Sequence, residues 1–388
     1  MAAAEDALAD AFAAALRQWP LEGVPRQPEA WLLTVARRRQ VDGVRAWARD
    51  AAIAAELAVL ADTVTDPAGD ETLPDHRLRL MLACAHPAID PRDRAPLMLQ
   101  TVLGIDAARI ASAFLMAPSA MGQRLVRAKA RIRQVGIPFE VPEPSEWADR
   151  LHGVLSAIYA AFAQGWADAP GADPSAGALA DEALWLGRLV AHLRPDEPEA
   201  LGLLALMTYA DARRAARRDS EGAFVPLAQQ DTARWDHARI DEAEALLRRA
   251  SHAGQPGRFQ LEAAIQSAHC WRRTGRRADP GEILLLYEGL DALVGTPVSA
   301  LNRAVALAEV HGAAPALEAI DALQAQAPAL QDYQPLWAAR AHLHARLGEV
   351  PQAQAAYRRA IGLERDPAVR RFLQRRADSL GAGKASPA

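Results

Sequence analysis

The sequence predicts an all-α protein. Apolar residues recur at three- and four-residue spacing nearly throughout, strand-type alternation is scarce, and Pro and Gly fall between the periodic blocks. The 388 residues exceed one ordinary core, so two or three domains are expected. Two breaks in composition mark their limits. Residues 62–75 (DTVTDPAGDETLPD) carry five acids, no base, two prolines and a glycine, without an apolar stripe, which reads as a flexible linker. Residues 136–144 (GIPFEVPEP) hold three prolines, enough to stop any helix. The expected pieces are therefore 1–61, 76–136 and 145–388, joined by an acidic linker at 62–75 and a Pro-rich one at 137–144.

The N-terminal piece opens with Glu5, Asp6, Asp10 and Phe12 on a first helix, where acids suit the positive end of the dipole. Trp31, Leu32, Val35 and Ala36 then recur at helical spacing and read as core. Arg37, Arg38, Arg39 and Arg45 follow as a basic cluster.

The middle piece carries a two-helix pattern. DAARIASAF reads as a short helix with Ile110 and Phe114 as its apolar pair, and Pro118 and Ser119 are fit to open the next helix. Along that second helix Met121, Leu125, Ala128, Ile132 and Val135 fall within about 80° of one another and are expected to face the core. Arg124, Arg127 and Arg131 form a second stripe with Gln123 beside it. Residues 107–136 hold six bases and no acid, inside a chain of net charge −4. A local basic patch on an acidic protein is the footprint of phosphate binding by one module, and short helix, tight turn and arginine-faced helix are the parts of a major-groove reader. An ordinary surface helix with solvated arginines fits the same periodicity, so both readings stand at this level. Arginine supplies every base except Lys129 and Lys384, which lowers the weight of any single arginine.

In the C-terminal piece, Trp337, Ala341, Gly348, Ala353, Tyr357 and Ala360 fall on a tetratricopeptide-like pattern. A similar block lies about 36 residues upstream, with Gly312, Ala316 and Ile320 in matching roles. Residues 182–216 and 238–271 read as further helix pairs, expected to complete the stack because two repeats are too few for a free-standing solenoid.

Several classes are disfavoured. There is no Gly-rich phosphate loop, HExxH or GxSxG, so the chain is not expected to be an enzyme or to hold a cofactor. Cys84 near His86 and His269 beside Cys270 are isolated pairs that do not make a metal site, and no metal is expected. Two distant cysteines point to a reducing cytoplasm, the opening MAAAEDALAD does not look like a signal peptide, and Leu201 to Ala210, the most apolar stretch, is too short to span a bilayer.

The strings LRLMLACAHPAI and DRAPLMLQTVLGIDAARIASAFLMAPSAMGQRLVRAKARIRQVGIPFEVP resemble region 4 of extracytoplasmic-function sigma factors. They are most similar to the subgroup with a tetratricopeptide-like C-terminal extension. AEDALADAF and WPLEGVPRQPEAWLLTVARRRQVDGVR resemble region 2 of that family, and LWLGRLVAHLRPDEPEALGLLALMTYADARRAAR and LNRAVALAEVHG resemble its extension. The resemblance implies a factor that directs core RNA polymerase to promoters. Region 2 would dock on the β′ clamp helices through Glu5, Asp6, Asp10 and Phe12 and hold −10 DNA with Arg37, Arg38, Arg39 and Arg45. Region 4 would sit on the β flap and read the −35 element. Gln123, Val126 and Arg127 match the positions that reach base edges, and Arg124, Lys129 and Arg131 match those that neutralise phosphates. The extension implies a protein partner or an intramolecular one that sets the availability of regions 2 and 4.

Two departures from the family pattern matter. The chain starts almost at the polymerase-binding helix, without the helices that precede it in relatives. Relatives also carry Gln and Glu where Ala9 and Asp10 stand, and Asn where Arg38 stands. They leave an alternative open: a DNA-binding regulator or repeat scaffold that has lost polymerase loading.

Overall fold

Fifteen α-helices and no β-strand make up the described part of the computed structural model, residues 75–136, 142, 146–167 and 174–382. The protein is all-α. Residues 75–137 and 141–388, which the Pro-rich break divides in the sequence, fall in one compact unit.

Four helices open that unit: α1 (His76–Cys84), α2 (Pro91–Thr101), α3 (Ala107–Ala113) and α4 (Pro118–Val135). Each of the first three starts at an aspartate whose carboxylate accepts from amides of the first turn. Asp75 takes Arg77 and Leu78, Asp90 takes Arg92, and Asp106 takes Ala108 and Arg109. Such a cap contributes about 1 kcal/mol. The fourth starts at Ala117 without a side-chain cap, and Pro118 supplies a preset φ in its first turn.

The remaining helices are α5 (Trp147–Ala167), α6 (Pro174–Leu193), α7 (Pro198–Ala212), α8 (His237–Ser251), α9 (Arg258–Cys270), α10 (Pro280–Val294), α11 (Pro297–His311), α12 (Ala313–Gln326), α13 (Gln334–Arg346), α14 (Val350–Leu363) and α15 (Pro367–Ala382). Each packs chiefly on its neighbours in the chain, as in a solenoid. The exceptions are α9, which packs chiefly on α7, and α7 itself, which touches α5, α6, α8 and α9 and is buried from Ala200 to Tyr209. A helix apolar all round has no face to give to solvent, so it becomes a core rod. At Gly202 the α9 backbone comes so close that a Cβ would lie 2.7 Å from the Gln260 amide nitrogen. Among the described residues no helix is long and apolar enough to cross a membrane.

The C-terminal hairpins follow the small-residue pattern. Ala341, Ala353, Tyr357 and Ala360 are buried, as are Ala316 and Ile320 one hairpin earlier. Gly348 turns between α13 and α14 at φ +74° and Gly312 between α11 and α12 at φ +90°, where a Cβ would be strained. Trp337 packs between the two apolar clusters of these hairpins and donates its indole N–H to the Gln331 carbonyl at 2.8 Å.

Helix α5 is the platform for the opening four. It packs on α1, α2 and α3 with one part of its surface and on α6 with another. Polar groups tie the contact down. Arg94 of α2 donates to the Asp149 carbonyl at 3.2 Å and Arg150 to the Leu82 carbonyl at 3.3 Å, and the Gln164 amide donates to the Arg109 carbonyl at 2.6 Å. Further along the chain the solenoid comes back to the opening helices. Leu115 packs against the apolar cluster of α11, α12 and α13. Between them runs a groove of about 1480 Å³ that reaches from Phe114 and Leu115 past Tyr159 and Tyr287 to Leu330 and Tyr333.

Candidate nucleic-acid interface

Helices α3 and α4 form the expected two-helix pattern. Ile110 of α3 is fully buried and Phe114, at its end, is half-buried. Between the helices the chain reverses through Leu115, whose φ is +52°. The Leu115 amide donates to the Ser112 carbonyl and the Met116 amide to the Ala111 carbonyl, which closes the turn.

The inner face of α4 follows the expected stripe only in part. Met121, Leu125 and Ala128 are buried. Ile132 is half-buried, and Val135 is 44% exposed rather than in the core. Helices α2 and α3 cover the first part of α4, and burial fades toward its C-terminal end. Periodicity gives the direction of a side chain but not whether a neighbour extends far enough to cover it.

The outer face holds Gln123, Val126, Arg127 and Arg131, all exposed. Val126 is 66% exposed, a branched apolar side chain facing outward between Gln123 and Arg127. Lys129 is half-buried. Arg124 departs from the expectation of a phosphate contact. It is ion-paired with Asp93 of α2, its side chain is 17% exposed, and its guanidinium also lies 3.3 Å from the Met116 sulfur. Its fork is thus turned toward the base of the motif. Arg127 and Arg131 border a shallow depression shared with Asp90 and Asp93, so two acids moderate the positive potential at that edge.

The contacts that tertiary packing brings together had weak signals or none in the sequence. Asp93 reads as a first-turn acid of its own helix, and nothing local marks it as the partner of a residue 31 positions on. Arg150 is an isolated arginine in sequence yet is 5% exposed, bonded to Leu82 and paired with Glu146. Leu115 carries no turn signature at all. The remaining expected positions, Glu5, Asp6, Asp10 and Phe12 for the polymerase and Arg37, Arg38, Arg39 and Arg45 for −10 DNA, lie outside the described residues, as does 62–74.

The histidine–cysteine pairs are inert in character. Burial pushes the Cys84 and Cys270 thiols up to about 11, where neither is a thiolate at neutral pH. Burial and the nearby charges of Arg213 and Arg272 push His269 down to about 4. Among the described residues no three His, Cys, Asp or Glu side chains gather as metal ligands.

A model of a family of unknown function, DUF6596, matches residues 150–251, the stretch from α5 to α8 that builds the platform and the buried rod. Over 390 aligned positions the chain is 37% identical to an uncharacterized protein of Rhizobium meliloti (strain 1021), covering 99% of this chain and 92% of that one. No solved structure matches. With that identity running through nearly the whole of both chains, this protein belongs to the same family as the Rhizobium meliloti protein.

Proposed function

We propose that the chain is a cytoplasmic transcription initiation factor of the sigma type, which brings core RNA polymerase to promoters and reads the −35 element with α4. The observation that carries this reading is the exposed row Gln123, Val126, Arg127 and Arg131 on the second helix of a helix-turn-helix. A row held on a packed base and open to solvent can enter a major groove without unfolding anything. Arg127 has the two donors needed for the O6 and N7 of a guanine, and Gln123 can pair with an adenine edge. The methyls of Val126 suit a thymine methyl. Arg131 and Lys129 neutralise phosphates, which sets the register without reading sequence. Arg124, paired with Asp93, contributes by fixing α4 on α2.

The N-terminal piece grips the β′ clamp helices and opens the −10 element, and region 4 sits on the β flap. The C-terminal hairpins meet the turn before α4 at Leu115 and set the availability of the reader. Nucleotide addition belongs to the polymerase, so the chain carries out no covalent step of its own.

Run-off transcription with purified core polymerase tests the reading. Initiation should depend on this protein and on the −35 sequence, and Arg127→Ala should lose that sequence dependence. Polymerase that initiates equally with and without the protein would overturn the initiation role. Failure of the full chain to bind any duplex at low salt would overturn the role of α4.

A further inference from the structure

Leu115 is the one non-glycine with a positive φ among the described residues. That backbone region is disfavoured for any residue with a Cβ, and Gly or Asn usually occupies it. The two backbone bonds that close the turn favour this form, and the packing of the Leu115 side chain outside the turn adds to its hold on a residue that carries a Cβ. The side chain is half-buried and packs on the apolar cluster that includes Leu301, Ile320, Leu330 and Leu336, from α11 to α13 and the 3-10 turn Pro328–Asp332. Leu115 and Leu330 line the same groove. On the other side of the turn, Met116 meets the guanidinium of Arg124, which is pinned to Asp93. A continuous line of contacts thus runs from the C-terminal hairpins through Leu115 and Met116 to α4.

We propose that Leu115 is a positioning residue for α4. The C-terminal hairpins hold its side chain, that contact keeps the turn in its left-handed form, and the turn sets the angle between α3 and α4. Leu115 is half-buried in the turn and lies off the exposed row of α4, so its effect on DNA passes through α4. Any displacement of α11–α13 therefore alters the reader even though these helices lie outside the helix-turn-helix. The contact stands on the structure alone; only its consequence for DNA rests on the reading above.

Hydrogen exchange by mass spectrometry on the full-length chain tests this, because the sign of one result decides it. A strained turn with no anchor would be relieved by Leu115→Gly, and exchange there would slow. An anchored turn loses its hold, and amides between Phe114 and Leu125 should exchange at least tenfold faster. Leu330→Ala, a change made wholly on the repeat side, should speed the same amides while leaving α1 unchanged. Leu330→Val serves the same purpose if the alanine variant does not fold. Binding of a mixed-sequence duplex should fall several-fold in Leu115→Gly. Equal or slower exchange between Phe114 and Leu125 in Leu115→Gly would overturn the proposal whatever the DNA result. Faster exchange in the variants, with no duplex bound even by the wild type, would support the coupling and overturn the DNA reading instead.

Discussion

Neighbouring arginines on α4 have different roles because Asp93 pairs with Arg124 and only borders the same depression as Arg127. Arg127 is exposed, whereas Arg124 is drawn back by Asp93. Arg127→Ala should relax preference at one base position by about 1–3 kcal/mol and leave folding stability nearly unchanged. Arg124→Ala should lower stability by about 1–3 kcal/mol, because it leaves a half-buried carboxylate without its charged partner. It should weaken binding to all duplexes alike. Chemical denaturation together with binding to a set of single-base duplex variants separates the two. Equal effects of both substitutions on every duplex would remove the distinction.

A second residue-level consequence concerns His269. Its folded value is pushed down to about 4 by burial and by Arg213 and Arg272, against an ordinary value of 6.5. Between these two values the unfolded chain binds a proton that the folded chain refuses. Stability should therefore be full above pH 6.5 and decline as pH falls toward 4, with a slope of at most about 1.4 kcal/mol per pH unit from this group. His269→Gln should flatten that part of the stability profile in urea unfolding from pH 7 to about pH 4.

At the scale of elements, close approach is what the α7–α9 crossing requires. Gly202 faces the backbone of Phe259 and Gln260 and the Gln260 Cγ, so a methyl group there meets backbone that cannot swing aside. Gly202→Ala should destabilise by about 1–3 kcal/mol despite the gain in helix propensity, because overpacking against backbone forces the helices apart. Thermal unfolding would check the sign; a variant more stable than the parent would contradict the close crossing. The same pair of helices shows capping from a distance. The start of α9 has no cap of its own, and Glu199 of α7 accepts from the Phe259 amide at 2.9 Å and the Gln260 amide at 3.2 Å.

At the scale of the whole compact unit, the opening four helices do not stand apart from the solenoid. They share α5 through Arg94, Arg150 and Gln164, and they meet the later hairpins through Leu115. Helices α2, α5 and α7 should therefore open together in native-state hydrogen exchange, whereas α15, which packs chiefly on α14, should exchange first. An α2 that exchanges well before α7 would show a reader that unfolds independently of its platform. Duplex binding should depend steeply on salt, with a slope of about −0.9 per phosphate neutralised, and should lose about one such unit in Arg131→Ala.

The helical class, the starts of α3 and α4, the C-terminal hairpins and the outward direction of Gln123, Val126, Arg127 and Arg131 were legible in the sequence. Those features come from capping aspartates, prolines in first turns and apolar spacing, and such signals act within one or two helical turns. Tertiary structure alone decided that Arg124 belongs to Asp93, that Arg150 bonds to Leu82, that Val135 is uncovered, and that Leu115 bends backward against helices nearly two hundred residues later. An arginine or a leucine has the same local pattern whether its partner is water, a distant carboxylate or a distant apolar cluster. Which of these it meets depends on how α5 and the returning solenoid place one stretch of chain against another.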